Sequence, residues 1–462
     1  MKLKIYSPYD QSVIKEISMH TENQVESALE KAYALFLNRD AWLMPYERKA
    51  ILSKLMKLME ENLEDLVQTA ASEGGKPYQD SLVEVKRAIN GVEIAMEHIG
   101  QLKGEEISMN QNEASAHKMA FTRREPIGVV ASVSAFNHPL NLAVHQIVTA
   151  FAAGCPVIFK PDLRTPLSGI ALVDLMEKAG VPQGWAQVLI CDNENAEKLV
   201  TDKRVNYFSF IGSHKVGWYL RSKLAPGTRC ALEHGGAAPV IVEKDADMKE
   251  LIPALTKGAF YHAGQVCVSV QRVFAEESIA RGLAEKIAEK AKKLKVGSAL
   301  DKETEVGPMI LPREVDRMEE WVKEAKESGG EILCGGNRIS DTCFAPTVIF
   351  NPSDEVKVSK EEAFGPILCI YPYKKRSEAI KKANALDMHF QAAVFTKNID
   401  VAFECVQALN ATAVMVNEHT AFRADWMPFG GRDASGIGMG GIPYSMHEMT
   451  REKLMVFKSK SL

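Results

Sequence analysis

Ile127-Gly-Val-Val-Ala-Ser-Val133 is a run of β-branched and small residues that stops at Ser134-Ala-Phe-Asn-His-Pro139, a polar turn closed by proline. The run predicts a buried strand, and the alternation it starts repeats downstream. Residues 140–153 read as helix, 157–160 as a buried strand and 166–179 as helix. Residues 186–190 and 207–211 read as further strands, with a helix at 195–201 between them. Short apolar strands alternating with helices predict a parallel sheet covered on both faces. Ligands of such sheets bind beyond the C-terminal ends of the strands. The marked turns there are 134–139, Lys160-Pro-Asp162 and Ile211-Gly-Ser213. No GxGxxG fingerprint occurs, so an ordinary Rossmann dinucleotide site is not expected.

Upstream, 3–6 and 13–17 read as short strands, and Thr21-Glu-Asn-Gln24 is a capping box for a helix to about residue 37. Pro45 opens an amphipathic helical stretch to 71, with Leu52, Leu55 and Met59 on its core face. Glu73-Gly-Gly-Lys-Pro77 breaks it, and a helix over 79–99 follows. Residues 104–123 look like a hairpin too polar for a core, suited to edge pairing with another subunit or to lying solvated. A second α/β run spans about 238–440, with strands at 239–242, 270–275, 345–348, 367–371 and 392–395 and helices near 277–294 and 311–328. The glycine-rich stretch 428–441 reads as loop, and 453–458 as a strand able to pair with the hairpin.

Composition excludes several function classes. The chain has 462 residues, enough for two or three domains, with 46% hydrophobic and 25% charged residues. A net charge of -4 implies neither a nucleic-acid nor a membrane surface. No apolar run spans a bilayer, and no secretory signal core is read at the N-terminus. The 8 cysteines stand singly, without CxxC or Cys/His ligand spacing. That argues against a metal site and a disulfide framework, and it predicts a cytoplasmic protein.

One of those cysteines stands apart. In Phe260-Tyr-His-Ala-Gly-Gln-Val-Cys-Val-Ser-Val-Gln-Arg272, Cys267 sits just past a Gly264-Gln265 break, between a helical run and a strand-like run. A thiol at such a junction can face a cavity, where its thiolate is a strong nucleophile. A buried structural cysteine is the plain alternative. What tips the balance is company upstream: Glu233, Asn137 and Lys160, each in its own glycine- or proline-marked turn.

Taken together, the motifs resemble the aldehyde dehydrogenase superfamily along nearly the whole chain. They are Pro126-Ile-Gly-Val-Val130, Phe136-Asn-His-Pro139, Phe159-Lys-Pro161, Phe208-Ser-Phe-Ile-Gly-Ser213, Leu232-Glu-His-Gly-Gly236, Gly264-Gln-Val-Cys267, Glu361-Glu-Ala-Phe-Gly-Pro366 and Pro428-Phe-Gly-Gly431. Each is weak alone, but their order and spacing together are specific. The resemblance implies two doubly wound α/β domains plus a β-hairpin oligomerisation element. Residues 1–103 and 124–235 would form the NAD(P)-binding domain, 236–445 the catalytic domain, and 104–123 with 446–462 the oligomerisation element of a homodimer or homotetramer.

The same resemblance implies the chemistry. Cys267 would attack a small-molecule aldehyde to give a thiohemiacetal, oxidation would leave a thioester, and water would release a carboxylic acid. Asn137 and the Cys267 N–H would hold the oxyanion. Glu233 would activate the water, best if burial raises its pKa. His234 stands where relatives usually carry an apolar residue, a departure expected to alter the local proton path. For the cofactor, NAD or NADP, the resemblance assigns Lys160 to ribose hydroxyls and Gly212-Ser213, at a helix start, to pyrophosphate. Glu362 would hold the nicotinamide ribose, with Phe364 and Phe136 alongside. NAD-preferring members often carry an acid three residues after the lysine. Here that residue is Leu163, with Arg164 next, so the repulsion of a 2′-phosphate is missing unless Asp162 restores it.

His138, Asn141 and His145 fall where members acting on fatty or aromatic aldehydes carry bulky apolar residues, which predicts a small polar pocket. Phe422-Arg-Ala-Asp425 resembles lactaldehyde- and phosphonoacetaldehyde-type relatives. Arg423 would fork onto an anionic group, joined by His138 and Arg87. Against a phosphonate, relatives of that type carry an arginine just before the cysteine, where this chain has Val266; a solvent-facing Arg423 is the alternative. A CoA-acylating dehydrogenase is the rival enzyme class, but its members generally lack the base at the position of Glu233. An inactive structural scaffold is the rival non-enzyme reading, and the joint presence of Cys267, Glu233, Asn137 and Lys160 argues against it.

Overall fold

The computed structural model describes every residue, Met1–Leu462. Its frame is two mainly parallel sheets. The first has six strands in the order Gly436–Ile437, Arg229–Glu233, Val205–Ile211, Val129–Val133, Val157–Lys160, Ala186–Val188. All are parallel except Gly436–Ile437, which runs antiparallel on the edge. The pleat sends Val130, Val157 and Tyr207 to one face and Val129, Ala131, Ile158 and Phe208 to the other. Each face carries its own buried cluster under helices, which explains why these strands are apolar throughout and do not alternate.

The second sheet has seven strands in the order Glu331–Cys334, Thr347–Phe350, Ile367–Tyr373, Arg272–Glu276, Pro239–Val242, Gln391–Phe395, Ala413–Val416. Only Glu331–Cys334 is antiparallel. Its core gathers 49 buried residues, among them Val240, Val273, Ile370 and Val394 from the strands and Leu255, Leu283 and Met318 from covering helices. A third, separate sheet pairs Thr450–Lys458 antiparallel with Lys118–Pro126 over nine residue pairs, and Glu106–Ile107 adds a short edge. No helix is long and apolar enough to cross a membrane.

Local differences from the sequence reading have physical causes. The stretch 45–71 is two helices, Pro45–Glu61 and Leu63–Gly74, broken at Asn62. The 140–153 helix is continuous but widens to a π turn at Val144–Val148. The glycine-rich stretch 428–441 is not all loop. Arg432–Asp433 pairs with Met388–His389, and Gly436–Ile437 pairs with Arg229–Glu233. Beyond it, Ile442–Glu448 packs Ile442 and Met446 back into the core of the first sheet. Strands Glu331–Cys334 and Ala413–Val416, short and on the edges, carry no sequence signal strong enough to be read.

Candidate active site

The helix Met248–Phe260 ends in a tight turn, Tyr261–Gly264, in which His262 and Ala263 take left-handed backbone at φ 52° and 53°. Gly264 follows at φ +68°, where a Cβ would come within 2.1 Å of the Gly365 carbonyl. This knot turns the chain so that Cys267 leaves the helix axis and faces a cavity of about 490 Å³. The side chain of Gln265 locks the turn: its Nε2 donates to the His262 and Pro308 carbonyls, and its Oε1 accepts from Ile310 N–H at 2.9 Å. The Cys267 N–H donates to no other group in the chain.

The cavity collects the residues singled out from the sequence. Cys267, Glu233 and Asn137 line it, as do Phe136, Lys160, Gly212, Ser213, Glu362 and Phe364. Arg87, His138, Asn141, His145 and Arg423 line it too. They arrive from loops beyond the C-terminal ends of both sheets, as the strand–turn–helix order predicts.

Burial sets the titration of this site. It raises the Cys267 thiol to about 12, reinforced by the neighbouring Glu362 and Glu233 charges. It also raises the Glu233 carboxyl to about 7 and the Glu362 carboxyl to about 8. Glu233 has no hydrogen-bond donor in the chain, and its carboxylate occupies the space a Cβ at Gly440 would fill, 2.0 Å from Oε1. Gly440 is therefore a supporting residue the sequence did not single out, because the glycine-rich stretch gave no hint of which glycine matters. Asn137 is buried, and its Nδ2 donates to the Gln265 carbonyl at 3.0 Å, which ties the asparagine turn to the cysteine turn.

On the cofactor side, Lys160 is buried and without an ion pair, and burial lowers its pKa. Gly212 spends its N–H on the Glu233 carbonyl at 3.1 Å, so it shapes the turn and leaves donation to the residues after it. Ser213 caps the helix His214–Arg221, whose first N–H groups point outward from the helix. Glu362 accepts from Gly236 N–H at 3.2 Å, and Gln271 fixes its loop through the Glu361 carbonyl and the Ala363 N–H. Phe136 meets Phe364 edge-on at 5.8 Å. Asp162 is paired with Arg164, whose guanidinium lies 4.5 Å over Phe136. The Asp162 charge is thus compensated and does not restore the repulsion a 2′-phosphate would meet. Unpaired donors, a helix start and two aromatic rings in one cleft fit a dinucleotide.

The substrate side centres on a residue not assigned from sequence, Asp425. It is buried and accepts from Arg87 Nε and Nη2 at 2.9 and 2.7 Å, His145 Nε2 at 2.8 Å and Asn141 Nδ2 at 3.3 Å. Burial would raise its carboxyl, but His145 and Arg87 outweigh that and hold it far below the usual range. Arg87, Asn141 and His145 therefore form a supporting cluster around Asp425. Arg423 is not solvent-facing. Its guanidinium stacks 3.5 Å over Phe429, its Nε lies 3.7 Å from Asp425, and its buried Nη1 has no partner. His138 bonds the Tyr261 hydroxyl. His234 turns away from the thiol: it packs between Phe210 and Trp218 and bonds the Gly212 carbonyl, so it plays no part in a proton path at Cys267.

Comparison with known proteins agrees with this architecture. The aldehyde dehydrogenase family matches residues 1–455. The chain is 38% identical over 456 residues to 3-sulfolactaldehyde dehydrogenase of Priestia aryabhattai, covering 98% of this chain and 94% of that protein. Aldehyde dehydrogenase 21 from Physcomitrella patens, solved with the reaction product succinate, superposes with a TM-score of 0.96 at 34% identity, over 99% of this chain and 95% of that one. Glyceraldehyde-3-phosphate dehydrogenase from Methanocaldococcus jannaschii, solved with NADP, gives a TM-score of 0.94 at 34% identity, over 99% of both chains. The chain belongs to the aldehyde dehydrogenase family: it is an enzyme, an aldehyde dehydrogenase, and its cofactor is NAD or NADP.

Proposed function

We propose that the protein oxidises a small polar or anionic aldehyde to the carboxylic acid, with Cys267 as nucleophile. The observation that carries this reading is the joint placement of Cys267, Glu233, Asn137 and Arg423 around one cavity. The Cys267 sulfur attacks the carbonyl carbon, and its proton passes to Glu233, whose raised pKa suits it to take and release protons near neutrality. The developing oxyanion is held by the second Asn137 amide N–H and the free Cys267 N–H. NAD(P)+, when bound, supplies the two-electron oxidant that turns the thiohemiacetal into a thioester. Glu233 then deprotonates a water that attacks the thioester carbonyl, and the carboxylic acid leaves as the thiol re-forms. A base at this position favours hydrolysis over transfer to CoA. Lys160, Ser213, Glu362, Phe136 and Phe364 hold the cofactor, with Gly212 shaping their turn. The first sheet and its helices serve the cofactor, and the second sheet carries the thiol.

Arg423, with one guanidinium nitrogen unpaired and buried, supports an anionic or strongly polar group on the substrate. Arg87, Asn141, His145 and Asp425 set its surroundings, and His138 completes the polar wall. The relatives named for sulfolactaldehyde and for a succinate product fit that charge preference. The ribbon of Thr450–Lys458 and Lys118–Pro126 joins subunits in a dimer or tetramer, and eight free cysteines suit a reducing cytoplasm. A panel of lactaldehyde, glycolaldehyde, succinic semialdehyde, phosphonoacetaldehyde and sulfoacetaldehyde, followed by absorbance of the reduced nicotinamide, identifies the substrate class. Arg423→Ala is expected to raise KM for anionic aldehydes about 10- to 100-fold while neutral ones change little. Equal KM changes for both kinds would remove the anion-binding role.

A further inference from the structure

The two turns that hold Asn137 and Lys160 are each followed by a helix that cannot cap itself. The helix starting Pro139–Ala143 has His138 at its N-cap, and Leu167–Ala179 has Pro166, and neither side chain accepts a hydrogen bond from the helix. Both ends are buried, so their free N–H groups require an acceptor from elsewhere. Two buried carboxylates from one short stretch provide it. Glu84 Oε1 accepts from Leu140 and Asn141 N–H, each at 3.0 Å, while Oε2 pairs with buried Lys76. Glu73 Oε2 accepts from Leu167 N–H at 2.6 Å, and Oε1 from Ser168 N–H at 2.8 Å and Ser168 Oγ at 2.6 Å. Between them Gly74 packs against the Asn137 turn, with the Phe136 carbonyl 3.9 Å from where its Cβ would be.

We infer that Glu84 and Glu73 are positioning residues with separate tasks: Glu84 fixes the Asn137 turn and so the oxyanion donor, and Glu73 fixes the Lys160–Pro166 turn and so the cofactor. A carboxylate at a helix start opposes the positive end of the helix dipole, so each bond is directional and charge-assisted. At its other end the Asn137 turn is tied to the Gln265 carbonyl, so only the Glu84 contact sets where the turn begins its helix. The Lys160 turn is tied internally by Asp162, which pairs with Arg164 and accepts Thr165 N–H at its carbonyl, leaving Glu73 as its anchor to the layer beneath. This assignment rests on the roles proposed above for Asn137 and Lys160.

The test uses the full-length enzyme as Glu84→Gln, Glu73→Gln, Asn137→Ala and the Glu84→Gln/Asn137→Ala double variant. Turnover is measured with the fastest aldehyde of the panel, and NADH and NADPH affinity by quenching of tryptophan fluorescence. Glu84→Gln is expected to lower kcat about 10- to 100-fold, to leave cofactor Kd within about twofold, and to add nothing on the Asn137→Ala background. Glu73→Gln is expected to raise cofactor Kd about tenfold and to keep the single-turnover rate at saturating cofactor. The inference is overturned if each variant changes both quantities, or if the Glu84→Gln loss multiplies that of Asn137→Ala. Full kcat in Asn137→Ala would instead defeat the oxyanion assignment, while the Glu73 result on cofactor affinity stands apart from it. If a glutamine variant loses its thermal transition, the aspartate at the same position, which keeps the charge and shortens the reach, is read the same way.

Discussion

At the scale of single residues, the site is governed by burial without nearby compensation. Cys267 is surrounded by two carboxyls and a low-dielectric wall, so its thiol stays protonated well above the range of an ordinary cysteine. A resting enzyme of this kind protects its nucleophile. Alkylation by iodoacetamide in the cofactor-free enzyme is expected to climb about tenfold per pH unit from pH 7 to 9, because the thiolate fraction grows in proportion below the pKa. Mass spectrometry of the Cys267 peptide measures it, and a plateau beginning below pH 9 would contradict the raised pKa. Glu233 shows the opposite use of the same physics. With its carboxyl raised to about 7, it is mostly neutral below that pH and a base above it. When hydrolysis limits turnover, kcat is expected to rise with pH through about 7 and then level off. Glu233→Gln is expected to abolish that limb and lower kcat about 10²-fold or more. An unchanged acid limb in the variant would assign it to another group. The identities of Cys267, Glu233 and Asn137 were legible from their motifs. Asp425 was not, because an aspartate two residues after an arginine has no local signature of the four partners it gathers from distant helices and loops.

At the scale of elements, the decisive piece is the knot between the helix Met248–Phe260 and the strand Arg272–Glu276. Two non-glycine residues there, His262 and Ala263, hold left-handed backbone, which costs free energy and persists only where packing over-determines it. Gly264 completes the turn. Gly264→Ala adds a left-handed alanine and a clash with the Gly365 carbonyl, so a loss of about 2 kcal/mol or more is expected, with a lower Tm and little activity. Denaturant unfolding followed by circular dichroism gives the number, and a variant as stable and active as the parent would show that the knot is not needed. The sequence marked this break at Gly264-Gln265 but not the reach of Gln265 to Pro308 and Ile310, residues more than forty positions away. The helix interruption at Asn62 and the π turn at Val144–Val148 escaped for a related reason. Both keep the apolar period of one long helix, so periodicity cannot see them.

At the scale of the whole molecule, the ribbon of Thr450–Lys458 and Lys118–Pro126 stands apart from both large cores. Leu454, Val456 and Phe457 are each about half exposed on it, beside Met119. A ribbon of this kind with an open edge and apolar side chains invites a partner. The double substitution Val456→Asp/Phe457→Asp is expected to shift the protein to a smaller species in light scattering after gel filtration. An unchanged mass would place the subunit contact elsewhere. The chain alone determined the fold class, the order of strands and turns, and the short list of reactive residues, because apolar periodicity and turn chemistry are local properties written in neighbouring positions. The tertiary structure decided which of those residues meet. It buried Arg423, turned His234 away from the thiol, paired Asp162 with Arg164 and set Asp425, Glu84 and Glu73 as anchors. Such contacts join segments tens to hundreds of residues apart, and their strength comes from exclusion of water, which exists only once the sheets and helices have closed around them.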